Sequence, residues 1–226
     1  MPTFKRFVTH YLSKFLIVLG FVLISSSYYQ FALAEFNYYY NLFLGRYFVL
    51  EIPEVNRNTE LLDQTFSNIS PENLIKIEPV NKDFSIVIEK LNINAPIVKD
   101  VSVINEKEYM ESLKMGVAHA SFSGYPGDLD SNVYLFAHSA YNFWELGRYS
   151  SVFNQLHKLN VKDRVTIFYQ GKKYVYEVDN MLLFKDFQVT DAVFQTIGPT
   201  LTLQTCYPPG TTLNRLVVRA SLIGIY

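Results

Sequence analysis

Cys206 is the only cysteine in a chain of 226 residues, and it ends the run Thr202-Leu203-Gln204-Thr205-Cys206 just before Tyr207-Pro208-Pro209-Gly210. The next apolar run carries Arg215 and Arg219. A lone thiol cannot form an intrachain disulfide, and one Cys among scattered His residues cannot supply the about four ligands of a structural zinc site. Placed at a strand end, beside a turn and facing an arginine, it has instead the makings of a nucleophile. Such a thiol needs a proton partner, because little of it is thiolate near neutral pH at the ordinary pKa of about 8.5.

Four histidines are on offer. His10 precedes a long uncharged stretch, and His157 lies in Leu156-His157-Lys158, which reads as surface. His119 and His138 remain. His138 directly follows the apolar run Val133 to Ala137 and opens the polar loop Ser139-Ala140-Tyr141-Asn142, a place where rigid scaffolds display reactive groups. A histidine at a strand end is also an ordinary structural hydrogen-bonder, so the residues alone leave the choice open.

The arginines can be separated by register. If Cys206 ends one strand of a hairpin and Arg215 begins the next, the two oppose each other on one face. Arg219 would then face residue 202, about 13 Å further along at roughly 3.3 Å per residue. Alternation places Leu201, Leu203 and Thr205 on one side and Thr202, Gln204 and Cys206 on the other, more polar side.

The elements that must position these groups are mainly strands. Short β-branched or aromatic runs occur at 85–89, 95–98, 133–137, 165–169, 173–178, 201–203 and 216–218, and Gln170-Gly171 marks a hairpin between two of them. Helical patterns interrupt them at Glu106 to Met115 and roughly Ser151 to Leu159. Seven or more short strands predict an antiparallel barrel or sandwich.

Composition narrows the partners. A net charge of -1 gives no basis for nucleic-acid binding. Phe15 to Ala34 is free of charge over 20 residues, enough to span a hydrocarbon core of roughly 30 Å, with Lys5, Arg6 and Lys14 before it and no basic residue after it until Arg46. This predicts a cytoplasmic basic N-terminus over 1–14, a transmembrane anchor over 15–34, a juxtamembrane spacer over 35–80 and an exported domain over 81–226. Ala32-Leu33-Ala34 also resembles a signal-peptide cleavage site, which would release the same domain. No acidic cluster predicts a calcium site, and no metal or other cofactor is expected.

The ordered set Gly116-Val117-Ala118-His119, Pro126-Gly127 with Asn132, Ala137-His138, Thr202-Leu203-Gln204-Thr205-Cys206 and Arg215-Leu216-Val217-Val218-Arg219-Ala220 resembles the sortase family of cysteine transpeptidases. The resemblance runs from about residue 84 to the end. Ala137 stands where the family often has Gly, and 36–50 has no placed counterpart. Tyr-Pro-Pro after Cys206 and the Arg215 strand look more like the broader subgroups, class D/E among them, than the first-described housekeeping type.

The resemblance implies a sortase-like eight-stranded β-barrel with short helices, carrying catalytic Cys206, His138 and Arg215, behind an N-terminal transmembrane helix. It resolves the histidine choice toward His138. It further implies a cell-membrane enzyme, single-pass, with its domain outside the cytoplasm, acting on an exported protein that bears a C-terminal Leu-Pro-x-Thr-Gly-like sorting signal. Cys206 would form a thioacyl enzyme, resolved by an amine of a cell-wall peptide or a pilin lysine. Thr205 would pack beneath the substrate motif, and the segment 184–200 would line the groove. A hydrolytic cysteine protease with the same dyad and a non-catalytic anchored β domain are the alternatives.

Overall fold

The computed structural model describes residues 2–51, 70–129, 131–139, 149, 151–185 and 198–226, with the side chains of 2–9, 27, 28, 30, 31 and 71 left out. Helix α1 runs Pro2–Phe43, well past the uncharged stretch. It stops where Gly45 takes φ 62°, and the Gly45 and Arg46 amides return to the carbonyls of Leu42 and Asn41. Glycine relieves the strain a Cβ would meet in that left-handed cap. Among the described residues no helix is long and apolar enough to cross a membrane. The described residues thus do not establish the transmembrane span expected at 15–34, although the backbone there is helical throughout.

The stretch read as a spacer carries two strands. β1 (Tyr47–Leu50) pairs in parallel with β2 (Leu74–Ile77). Leu50 and Ile77 pack on Val87 and Phe168, which sit on the outside of the main sheet.

That main sheet is a closed barrel. Its strands are β3 (Phe84–Ile88), β4 (Ile93–Val101), β5 (Val117–Ala120), β6 (Asn132–Phe136), β7 (Arg164–Tyr169), β8 (Lys172–Lys185), β9 (Thr200–Tyr207) and β10 (Asn214–Ile225), in the order β10-β8-β7-β3-β4-β5-β6-β9 around the circle. Every residue of β3 is buried, because the barrel core takes one face and the small sheet covers part of the other. The run Ser85 to Ile88 therefore lacks the polar alternation of a half-exposed strand.

The purely antiparallel expectation is corrected in two places. β4 and β5 are parallel, bridged by helix α2 (Glu106–Met115), and β6 and β9 are parallel, bridged by the long excursion through β7 and β8. Parallel neighbours need such crossovers, which a list of short runs does not reveal. α2 begins where Asn105 accepts the Glu108 amide and ends at Gly116, where a Cβ would lie 2.3 Å from the Pro96 carbonyl oxygen. Gln170 and Gly171, at φ 50° and 79°, turn β7 into β8 as their residue types predict.

The helix expected near 151–159 is mostly turn, with a single 3₁₀ segment at Leu156–Lys158. Phe153, Leu156 and Leu159 are buried there, and their spacing of three suits the tighter 3₁₀ repeat rather than an α-helix. Gln155 and Lys158 from this segment hold α1. The Gln155 side chain donates to the Ala34 carbonyl at 2.7 Å, and Lys158 pairs with Glu35 at 2.8 Å. The Lys158 ammonium also lies 3.8 Å from the Tyr38 ring centroid.

Candidate active site

β9 and β10 oppose Cys206 to Arg215 and Thr202 to Arg219, as the hairpin register predicts. Leu201, Leu203 and Thr205 are buried, as is Thr202 on the other side, while Gln204 and Cys206 are half-buried, so the side that carries the thiol opens toward solvent only at the end of β9. Interior leucines on one face thus orient the reactive group on the other. Arg215 is 6% exposed, and its Nη1 donates to the Thr212 and Asn214 carbonyls, both at 3.1 Å. Those bonds pin the guanidinium at the turn beside Cys206.

The third group arrives on β6. Its parallel register with β9 ends at Phe136 opposite Gln204, and each further step is tied by a hydrogen bond. The Ala137 amide donates to the Gln204 carbonyl at 3.2 Å, and the Thr205 hydroxyl donates to the Ala137 carbonyl at 2.9 Å. The Ser139 hydroxyl donates to the Cys206 carbonyl at 2.5 Å. His138 lies between these ties, level with Cys206.

His138 is half-buried with Nε2 out of solvent, and its ring meets Tyr109 of α2 edge-on, at 5.9 Å between centroids and 86° between planes. Ser139 is fully buried, and its carbonyl accepts the Gly210 amide at 2.8 Å, which closes the Pro208–Gly210 turn over the end of β6. Ser139 was visible in sequence only as a member of a polar loop, and Tyr109 only as one residue of a helix.

Burial pushes the Cys206 thiol above its ordinary value, and the Arg215 guanidinium and the neighbouring Ser139 draw it back. Burial likewise raises the Tyr109 phenol, the Cys206 charge adds to it, and Arg215 opposes it. One thiol, one imidazole and one guanidinium therefore share a partly desolvated corner at the end of β9. Such a corner can carry nucleophilic attack, proton transfer and oxyanion stabilisation.

The remaining candidates fall elsewhere. His119 is fully buried, with Nε2 3.0 Å from both the Gly124 carbonyl and the Ser123 hydroxyl, and with Nδ1 accepting the Asp100 amide. His157 is half-buried rather than on the open surface, because its ring packs on Tyr207 at 5.7 Å and Nδ1 lies 3.1 Å from the Asn154 carbonyl. Thr205 is buried with its hydroxyl committed to Ala137. Among the described residues no cluster of His, Cys, Asp or Glu could hold a metal ion. The loop after Ser139, from residue 140 to 148, and most of the expected groove segment, 186–197, lie outside the described residues.

Residues 86–223 match the sortase domain family. Among solved structures the chain is similar to sortase C-1 from Actinomyces oris, at 22% identity over 64% of this chain and 76% of that one, with TM-score 0.53. It is similar to sortase C1 of GBS Pilus Island 1, at 26% identity over 62% of this chain and 65% of that one, with TM-score 0.51. It is also similar to Streptococcus agalactiae sortase C1 in complex with MTSET, at 26% identity over 65% and 71%, with TM-score 0.52. No curated protein sequence matches it.

Proposed function

This chain belongs to the sortase family of cysteine transpeptidases, and on that premise we propose that Cys206, His138 and Arg215 form its catalytic centre. The observation that carries the assignment is the convergence of three separate chain positions at one level of the barrel: Cys206 opposite Arg215 in register, and His138 tied beside them through Ala137 and Ser139.

An extended sorting motif, similar to Leu-Pro-x-Thr-Gly, lies along the exposed side of β9. The Cys206 thiolate attacks the carbonyl of the motif's Thr, forming the S–C bond and an oxyanion that faces Arg215. A guanidinium suits this task because it stays charged at any working pH. The C–N bond then breaks, and the His138 imidazolium gives its proton to the departing amine. In the second half His138 takes a proton from the incoming amine, which attacks the thioester and displaces the Cys206 thiolate. The incoming amine belongs to a cell-wall peptide or to a lysine of another subunit, the latter being consistent with pilus-related proteins among the similar structures.

We further propose that residues 15–34 of α1 span the cell membrane and that the barrel works on the outer side. The uncharged stretch, the basic residues before it and the tyrosines near its outer end support this reading. Glu35 and Tyr38 then reach Lys158 directly, so the helix leads from the membrane into the side of the barrel.

The test is to incubate the full chain in detergent micelles with a library of sorting-type peptides and several amines, reading products by mass spectrometry. A thioacyl adduct on Cys206 that resolves onto the amine is the expected result. Release of acid alone, unchanged by added amine, would make the enzyme a hydrolase, and no adduct on any peptide would overturn the reading.

A further inference from the structure

Tyr109 brings α2 to the level of His138. Tyr109, Ser112 and Leu113 form the face of α2 that turns toward the barrel, and Tyr109 packs on the main core. Its ring is parallel to that of Phe136 (5.2 Å between centroids, 9° between planes) and perpendicular to that of His138. Phe136 ends β6 and His138 lies two residues beyond it, and the Tyr109 ring meets both. A single ring therefore packs against an anchored core side chain and against the imidazole two residues on.

We infer that Tyr109 is a positioning residue of the transpeptidase: its ring holds the His138 imidazole in the orientation from which it protonates the leaving amine. The inference rests on the catalytic assignment made above. It concerns the ring rather than the hydroxyl, since the ring makes the contact with His138. An imidazole that can swing loses the aligned geometry on which proton transfer depends, and a small misplacement costs one to two orders of magnitude in rate.

The experiment compares wild type with Tyr109→Phe and Tyr109→Leu in the full chain, using two peptides that share the sorting sequence recognised by the wild type. One has the natural amide leaving group, and the other a 4-nitrophenyl ester, whose phenolate departs without needing a proton. On the amide, Tyr109→Leu is expected to lower kcat about tenfold with KM within roughly twofold, while Tyr109→Phe restores most of the rate. On the ester, the first-turnover release of nitrophenolate by Tyr109→Leu is expected to stay within about twofold of wild type, because that half of the reaction no longer demands the proton that His138 supplies to a leaving amine.

Equal losses on both substrates would make Tyr109 a packing residue only and overturn the inference. So would an unchanged amide rate in Tyr109→Leu, or a loss in Tyr109→Phe as large as in Tyr109→Leu. Wild type inactive on every amide peptide would instead strike the catalytic assignment, which the Cys206→Ala and His138→Ala controls report separately. Thermal unfolding of each variant identifies any that fails to fold, and in that case Tyr109→Met, which keeps side-chain bulk without the ring, takes the place of Tyr109→Leu.

Discussion

Two levels of the same barrel each have a histidine and an arginine at hand, and the two are built differently. The lower level holds Arg219 opposite Thr202, with His119, opposite Leu135, one residue off that register. The upper level holds His138, with Arg215 opposite Cys206. Below, the imidazole is fully buried, both ring nitrogens are engaged, and the Thr202 hydroxyl is spent on Asn132 at 2.9 Å. Above, the strands run out, the thiol meets solvent, and hydrogen bonds hold the backbone around the reactive side chains. Residue type is shared by the two levels; the difference is in burial and in what stands opposite each arginine.

The largest expected effect tests that contrast directly. Arg215→Ala should lower kcat/KM by about 10² to 10³, while Arg219→Ala should stay within a few-fold, measured as amine-dependent product formation. Comparable losses in the two variants would collapse the distinction between levels. Because Arg215 opposes the burial that raises the Cys206 thiol, Arg215→Ala should also raise the pH at which iodoacetamide alkylation of the thiol accelerates.

Next in size, His119→Gln should cost about 2–4 kcal/mol of stability while leaving activity per folded molecule nearly intact. Burial holds the His119 imidazole below its ordinary pKa. The unfolded chain therefore binds the extra proton first, and His119 makes the wild type less stable as pH falls through the ordinary histidine range and below. Denaturant melts at several pH values should show a shallower acid slope in His119→Gln, and an unchanged slope would remove His119 as the cause.

Smaller again is the pair Thr205→Val and Thr202→Val, matched substitutions on the two levels. Each deletes one hydroxyl bond at a cost of about 1–3 kcal/mol. Only Thr205→Val should also lower kcat, because its bond holds the strand that delivers His138. Equal turnover in the two variants would show that register alone suffices to place His138.

Much of this was legible in the residues. The alternation of 201–206 sets Cys206 on the side away from the buried leucines, and hairpin register sets it across from Arg215 rather than Arg219. The span 106–115 was readable as a helix because its capping residue and polar–apolar pattern are local. β5 was not called out as a strand, since Val117 to Ala120 is only four residues long and both of its faces are covered. The strands at 47–50 and 74–77 were hidden because their partner lies across a stretch with no pattern of its own. Choosing between His119 and His138 needed either the family motif or the full hydrogen-bond inventory, as both follow Ala and both sit on or at the end of short apolar strands. Tyr109 could have been flagged only by knowing which side of α2 faces β6, which is a tertiary fact.

The junction of β6 with β9 has a kinetic consequence. Its bonds join positions 68 residues apart, as in Thr205 to Ala137, and nothing local brings them together. Such distant pairings form only after a large loop has closed. A chain still emerging in an extended state therefore carries Cys206 and His138 as unrelated side chains, with the ordinary chemistry of a free thiol and a free imidazole. On the proposed assignment the site exists only once the circle of strands has closed, so acylation of Cys206 waits on completion of the fold.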